Sequence, residues 1–151
     1  MNYQSTLVSV LRLLNPEHAH RLTILGLKLG LVQEPKLSSD PILGNTVWGL
    51  RFKNPLGLAA GFDKNAEVPF EMLRQGLGFV EVGSVTPRPQ YGNKKPRIFR
   101  LNDDHAIINR LGFNNKGSAF VAKKLANKKK KKGEILGINF GKNKDSQEEN
   151  I

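Results

Sequence analysis

The sequence predicts an α/β chain built on a parallel sheet and preceded by an apolar helical hairpin. Three observations carry that expectation. Short apolar segments alternate with helical patterns from residue 47 onward. Those segments are apolar on both faces, as strands covered by helices on each side must be. Residues 1–34 instead hold two leucine-rich helical stripes separated by a restart signal.

Taken in order, Leu7, Leu11 and Leu14 fall on one helical face, widened by Val8 and Val10. Asn15-Pro16-Glu17 then supplies an N-cap, a proline for the first helical position and an acid for the first turn. The second helix is expected from Pro16 to Val32, with Leu22, Leu25 and Leu29 as its main stripe and Ile24, Leu27 and Leu31 broadening it. Pro35 ends it. Such a hairpin must bury its apolar surface, either on a following domain or in the headgroup region of a membrane. Residues 35–46, with two prolines, a glycine and two serines, read as a linker. Beyond it come a strand at 47–52, a turn, and a continuously apolar strand at 56–60. A helix is expected over 65–77 with Val68, Met72 and Leu73 inward, then a strand at 79–82. A polar loop from 84 to 97 leads to an apolar segment at 98–101. A helix over 116–129 and a third parallel strand at 135–140 complete the pattern. The domains expected are therefore the hairpin (1–34), the linker (35–46) and a βα body (47–151).

Composition excludes some chemistry. The 151 residues contain no cysteine, so disulfides, cysteine metal sites and thiol nucleophiles are absent. The net charge of +11 is local: residues 116–144 carry ten lysines against one acid, Glu134, and supply +9 of it. Five of those lysines are consecutive, at 128–132. A solvated helix end explains such a run more simply than a nucleic-acid or anionic-lipid patch, because no aromatic side chains are interleaved for base stacking. The alternative, a non-catalytic basic binding module, stays open on these residues. No apolar segment reaches the roughly 18–20 residues that span a bilayer, and the N-terminus carries no clear signal or transit peptide. A bacterial cytoplasmic origin fits, with a membrane-surface location open.

Polar residues gather just beyond the apolar strands, where α/β folds build their sites. Ala59-Ala60-Gly61-Phe62-Asp63-Lys64-Asn65 follows one strand, Gly83-Ser84-Val85-Thr86-Pro87 another, and Asn139-Phe140-Gly141-Lys142-Asn143-Lys144-Asp145 the third. Asn109-Arg110-Leu111-Gly112-Phe113-Asn114-Asn115 is unusually rich in amides. Each segment alone also reads as a turn or helix cap. Together they offer close backbone approach at glycine, paired donors and acceptors for a planar polar ring, and lysine for an anion.

These motifs, with Asn54-Pro55-Leu56-Gly57-Leu58 and Val82-Gly83-Ser84-Val85-Thr86-Pro87-Arg88-Pro89-Gln90, resemble those of the dihydroorotate dehydrogenase family, in its order and spacing and over essentially the whole chain. Asn15-Pro16-Glu17-His18-Ala19-His20 and its hairpin resemble the quinone-linked, membrane-associated class. The resemblance implies a (β/α)8 barrel, of which this chain holds about three βα units. It implies FMN contacts at Ala60, Gly61, Phe62, Asp63, Lys64, Ser84 and Asn139. Dihydroorotate would meet Lys64, Asn109, Arg110, Leu111, Gly112 and Phe113, and a quinone, ubiquinone or menaquinone, would meet His20 and Arg100. No metal is implied.

The reaction implied takes a C5 proton from dihydroorotate to a general base and a C6 hydride to N5 of FMN. The electrons then pass to a quinone arriving along the hairpin, at the cytoplasmic side of a bacterial inner membrane. In the family a serine base and the flavin-phosphate loops come later than residue 151, and Ser146 is too early to be that base. The chain is therefore expected to be a fragment with little activity alone, or one completed by another polypeptide.

Overall fold

The hairpin forms where the leucine stripes fall. In the computed structural model, which describes residues 3–35 and 40–146, α1 spans Tyr3–Leu13 and α2 spans Pro16–Lys28. Asn15 caps α2, its side-chain oxygen accepting the Glu17 amide at 3.0 Å. The helix ends short of the expected Val32. Gly30, at φ +68°, occupies the left-handed position, and the amides of Gly30 and Leu31 bond back to the carbonyls of Leu27 and Gly26. That paired closure requires a residue without a Cβ penalty at its turning point. The buried face also differs from the expected one. Ala19, Ile24 and Leu27 are buried, whereas Leu22, Leu25 and Leu29 stay exposed.

Part of the expected linker is ordered. Residues 36–39 lie outside the described residues, but Pro41–Leu43 form a 3₁₀ turn capped by Asp40. Residues 47–52 are not one strand. β1 (Asn45–Val47) pairs antiparallel with β2 (Leu50–Phe52) around Trp48-Gly49, whose φ angles are +51° and +75°. Two central residues at positive φ give the turn that matches strand twist. Tryptophan is an unusual occupant of its first position, which is why the turn is hard to read from sequence.

β3 (Gly57–Leu58) leads into a loop and then a short helix, α3 (Pro69–Leu73), in place of the helix expected over 65–77. Asp63 sets that start. Its carboxylate, 1% exposed, accepts the amides of Glu67 at 2.8 Å and Val68 at 2.7 Å, and Ala66 is held at φ +52°. The first residue free to begin a helix is Pro69, which needs no amide partner there. β4 (Phe79–Val85) runs three residues beyond the expected end. The loop after it reaches a hairpin of β5 (Ile98–Leu101) and β6 (Ala106–Asn109), of which only the first half was expected. α4 (Ser118–Ala126) and β7 (Leu136–Phe140) follow.

β3, β4 and β7 form one sheet in that order, both pairings parallel, as the apolar segments predict. Val80, Val82 and Val85 of β4 pack with Ala66 and Val121 in the main core. A second cluster, Ile24, Leu27 and Val68, seats α2 on this body, and Met72 borders both. No helix among the described residues is long and apolar enough to cross a membrane.

Replacing Asp63 with alanine removes the acceptor for two amides at the joint between these clusters. A buried donor left unsatisfied costs about 1–3 kcal/mol. We expect Asp63→Ala to lower unfolding free energy by roughly 2–4 kcal/mol in urea denaturation, with Asp63→Asn intermediate because its amide oxygen still accepts.

Candidate active site

The chain beyond the C-terminal end of each parallel strand turns toward one region, and backbone hydrogen bonds tie those loops together. The Gly61 amide donates to Gly83 carbonyl at 2.8 Å, Gly83 to Asp63 at 3.0 Å, and Gly141 to Val85 at 2.9 Å. Ser84 Oγ donates to Asn139 Oδ1 across β4 and β7. Two buried asparagines extend the network. Asn115 Oδ1 accepts from Thr86 at 3.2 Å and Gly117 at 2.8 Å, while its Nδ2 donates to Thr86 Oγ1 and to the Phe113 carbonyl. Asn143 accepts from the Arg88 amide and donates to the Arg88 carbonyl, both at 3.0 Å.

These loops enclose a cavity of about 470 Å³ lined by Ala60, Gly61, Lys64, Ser84, Asn93 and residues 109–113. It thus brings together Ala60, Gly61, Lys64 and Ser84 with Asn109, Arg110, Leu111, Gly112 and Phe113. Asn139 reaches it through Ser84. Phe62 and Asp63 do not line it: the Asp63 carboxylate holds the backbone of 67–68, and Phe62 turns toward α2, its ring edge-on to His20 with centroids 5.1 Å apart. Gly61 has φ +120°, and no atom lies within 4 Å of where its Cβ would be, so the backbone there faces open space.

A second cavity, about 540 Å³, lies between α2 and the β5–β6 hairpin, lined by His20, Arg100, Glu17, Arg97, Phe62 and Lys64 among others. Gly61, Lys64, Asn109 and Leu111 line both cavities and form their shared wall. Lys64 also lines a third, of about 630 Å³, between α2 and the segments 89–91 and 114–116, which shares His20, Phe62 and Arg97 with the second. Its Nζ donates to the Gly61 carbonyl. Burial, followed by the like charge of Arg97, holds the Lys64 ammonium below its ordinary range, against the pull of Glu17 and Asp63. Burial and then Lys64 likewise hold His20 below its usual value. Arg100 caps the end of α1, donating to the carbonyls of Arg12 and Leu14 at 2.7 Å.

Sequence reasoning missed several members of this region. Glu17 binds Arg97 and Lys95 at the mouth of the second cavity. Asn93 donates to the Arg110 carbonyl at 2.8 Å, supporting the 109–113 loop. Asn114 carries the buried side-chain oxygen that lacks a hydrogen-bond partner among the described residues, and it lines the second and third cavities. The amide-rich motif was the signal for Asn114; Asn93 stands in a loop with no distinguishing pattern.

A family model described as dihydroorotate dehydrogenase matches residues 42–151. The chain belongs to the dihydroorotate dehydrogenase family. It is 55% identical to a dihydroorotate dehydrogenase (quinone) of Rhodopseudomonas palustris, strain BisA53, over 92% of this chain and 38% of that protein. It is 54% identical to the protein of the same name from Rhizobium etli, strain CIAT 652, over 90% of this chain and 37% of that one. Among solved structures, DHODH from Eimeria tenella in complex with ferulenol matches with a TM-score of 0.81 and 47% identity, over 87% of this chain and 37% of that chain. The ligand-free form matches with a TM-score of 0.78. The chain thus spans somewhat over a third of the length of these relatives, and its three parallel strands are part of the (β/α)8 barrel of the family.

Glu17 gives the site a pH signature. Burial would raise its pKa, but hydrogen bonds and charges from Lys95 and Arg97 outweigh that and hold it below its ordinary 4.5. A carboxylate depressed in the folded state adds stability that is present above its unfolded pKa and is lost as pH falls through the folded one. We expect Glu17→Gln to cost about 1 kcal/mol at neutral pH and to flatten the fall in stability below pH 4.5, measured by thermal melts across pH.

Proposed function

We propose that these residues serve the oxidation of dihydroorotate to orotate, with FMN as cofactor and a quinone, ubiquinone or menaquinone, as final acceptor. The observation that carries this reading is the wall shared by two cavities, formed by Gly61, Lys64, Asn109 and Leu111. Two adjoining chambers with a shared wall allow a substrate and a separate acceptor to reach one cofactor from different sides.

The residues suit a flavin. The 470 Å³ cavity is in the range of small-molecule sites, and the open backbone at Gly61 admits a flat ring at close range. Ala60, Gly61, Lys64 and Ser84 would hold it directly, Asn139 through Ser84, and Phe62 and Asp63 only through the backbone of their loop. Bound there, FMN supplies the acceptor for the hydride and passes two electrons on. The chain's own side chains bind and orient. Asn109 offers amide donor and acceptor groups to the substrate ring, and Lys64, with the 109–113 loop, supplies a cation for its carboxylate. The lining contains neither carboxylate nor imidazole, so we assign these residues to binding and none to proton abstraction. His20 and Arg100 border the acceptor's cavity. The hairpin, residues 1–34, is the membrane-facing element in this reading, with 35–46 linking it to the barrel segment and the protein peripheral on the cytoplasmic side of a bacterial inner membrane. Exposed Leu22, Leu25 and Leu29 support that role.

The test grafts residues 42–146 into the matching segment of the Rhodopseudomonas palustris relative and follows orotate formation with a short-chain quinone. Retention of activity within about tenfold is expected. Lys64→Ala in the graft should then lower kcat/KM by about 100-fold or more, the scale for losing a preorganised charge contact. A folded graft that forms no orotate, or one indifferent to Lys64→Ala, overturns the reading.

A further inference from the structure

The lysines at 128–132 fall outside the site just described. A helix C-terminus attracts cations only within its last turn, and α4 ends at Ala126 with Lys123 and Lys124 already there. Lys128 is held by the fold: its Nζ donates to the Glu67 carbonyl at 3.0 Å, lies 3.4 Å from the Glu71 carboxylate and faces the Phe70 ring. The carboxylate of the same Glu67 pairs with Lys28, at the end of α2. Glu67 therefore joins the start of the lysine run to the C-terminal end of α2, where Leu25, Leu29 and Leu31 are exposed. Glu134, the one acid of the 116–144 segment, turns its carboxylate onto the Lys131 backbone amide at 2.6 Å. Among the described residues, Lys129, Lys130, Lys131 and Lys132 are exposed and make no ion pair.

Exposed ammonium groups that follow Lys128, itself linked through Glu67 to the leucine-bearing end of α2, lack the aromatic faces that single-stranded nucleic acid stacks on, and exposed leucines add nothing to contacts with duplex phosphates. They suit a bilayer surface, where apolar insertion and attraction to anionic headgroups add. We propose that Lys129, Lys130, Lys131 and Lys132 form a second membrane contact, selective for anionic phospholipid, beside the end of α2. The proposal extends the reading of the hairpin as membrane-facing and adds a charge-dependent component to it.

Co-sedimentation of the 151-residue chain with phosphatidylcholine vesicles, and with vesicles that also contain phosphatidylglycerol, separates the two parts. We expect at least tenfold tighter binding to the anionic vesicles, falling with added salt. Lys129→Gln, Lys130→Gln, Lys131→Gln and Lys132→Gln combined should bring that affinity down to the phosphatidylcholine level and leave phosphatidylcholine binding and the far-ultraviolet circular dichroism unchanged. Leu25→Gln with Leu29→Gln should weaken binding to both vesicle types. Anionic preference that survives the lysine substitutions overturns the proposal while leaving the hairpin reading intact. Lysine-dependent binding to anionic vesicles, with none to phosphatidylcholine and no effect of the leucine changes, supports the lysine contact and overturns the hairpin reading. Lysine-dependent binding to duplex DNA that is tighter than to anionic vesicles, or no vesicle binding at all, also overturns the proposal.

Discussion

A buried carboxylate with two backbone amides bonded to it is an anchor that the surrounding chain must fit, and Asp63 is that anchor here. Burial pushes its pKa up, while the amides of Glu67, Val68 and Asn65 draw it back. Holding 63–68 this way sends three neighbours in different directions. Lys64 lines the three cavities. Phe62 meets His20 of α2. Val68 enters the cluster with Ile24 and Leu27. The hairpin's seat, the shared wall and the start of α3 all follow from one side chain. An aspartate that reads as a flavin contact in sequence thus has its side chain committed to the fold, and any ligand near it meets the backbone that it shapes.

The asparagines do the comparable job between loops. A carboxamide in the interior must satisfy donors as well as acceptors, so it fits only where two segments present complementary backbone groups. Asn115 does so between 86, 113 and 117, and Asn143 between 88 and 90. Loops bearing Ser84, Asn139 and Asn109 become one unit through these bonds together with the direct Ser84–Asn139 bond. Precision in the cavity lining thus comes from side chains buried behind it.

Periodicity and punctuation made the α/β class, the hairpin and the parallel sheet legible, because each depends on local apolar spacing. Three features escaped for reasons that spacing does not encode. The β1–β2 turn places Trp48 at positive φ, where asparagine or aspartate is the usual sign. The early end of α2 at Gly30 was masked by leucines that continue the helical pattern past it. The shortened α3 depends on Asp63, a partner before the helix rather than within it. Of the candidate site, glycine- and amide-rich motifs marked most of the cavity lining. They could not mark Glu17, Arg97 or Asn93, which reach it from α2 and from an unpatterned loop, since those contacts exist only once the chain has folded.

The cationic groups that line the cavities are unequally partnered. Arg97 and Lys95 converge on Glu17, so that carboxylate is already engaged. The Arg100 guanidinium is occupied by the end of α1, and Arg110 by the Pro96 carbonyl. Lys64 is left with a backbone carbonyl as its partner and lies in a wall between two open spaces, partly desolvated and beside Arg97. An ammonium so placed is disfavoured until an opposite charge arrives, and that charge would restore its pKa and gain a charge-assisted bond in return. Burial first, and then the same cation, lower the pKa of His20 at the second cavity, against the charges of Asp63, Glu67 and Glu17. Lys64 is therefore the charged side chain common to both cavities, with His20 lining the second of them.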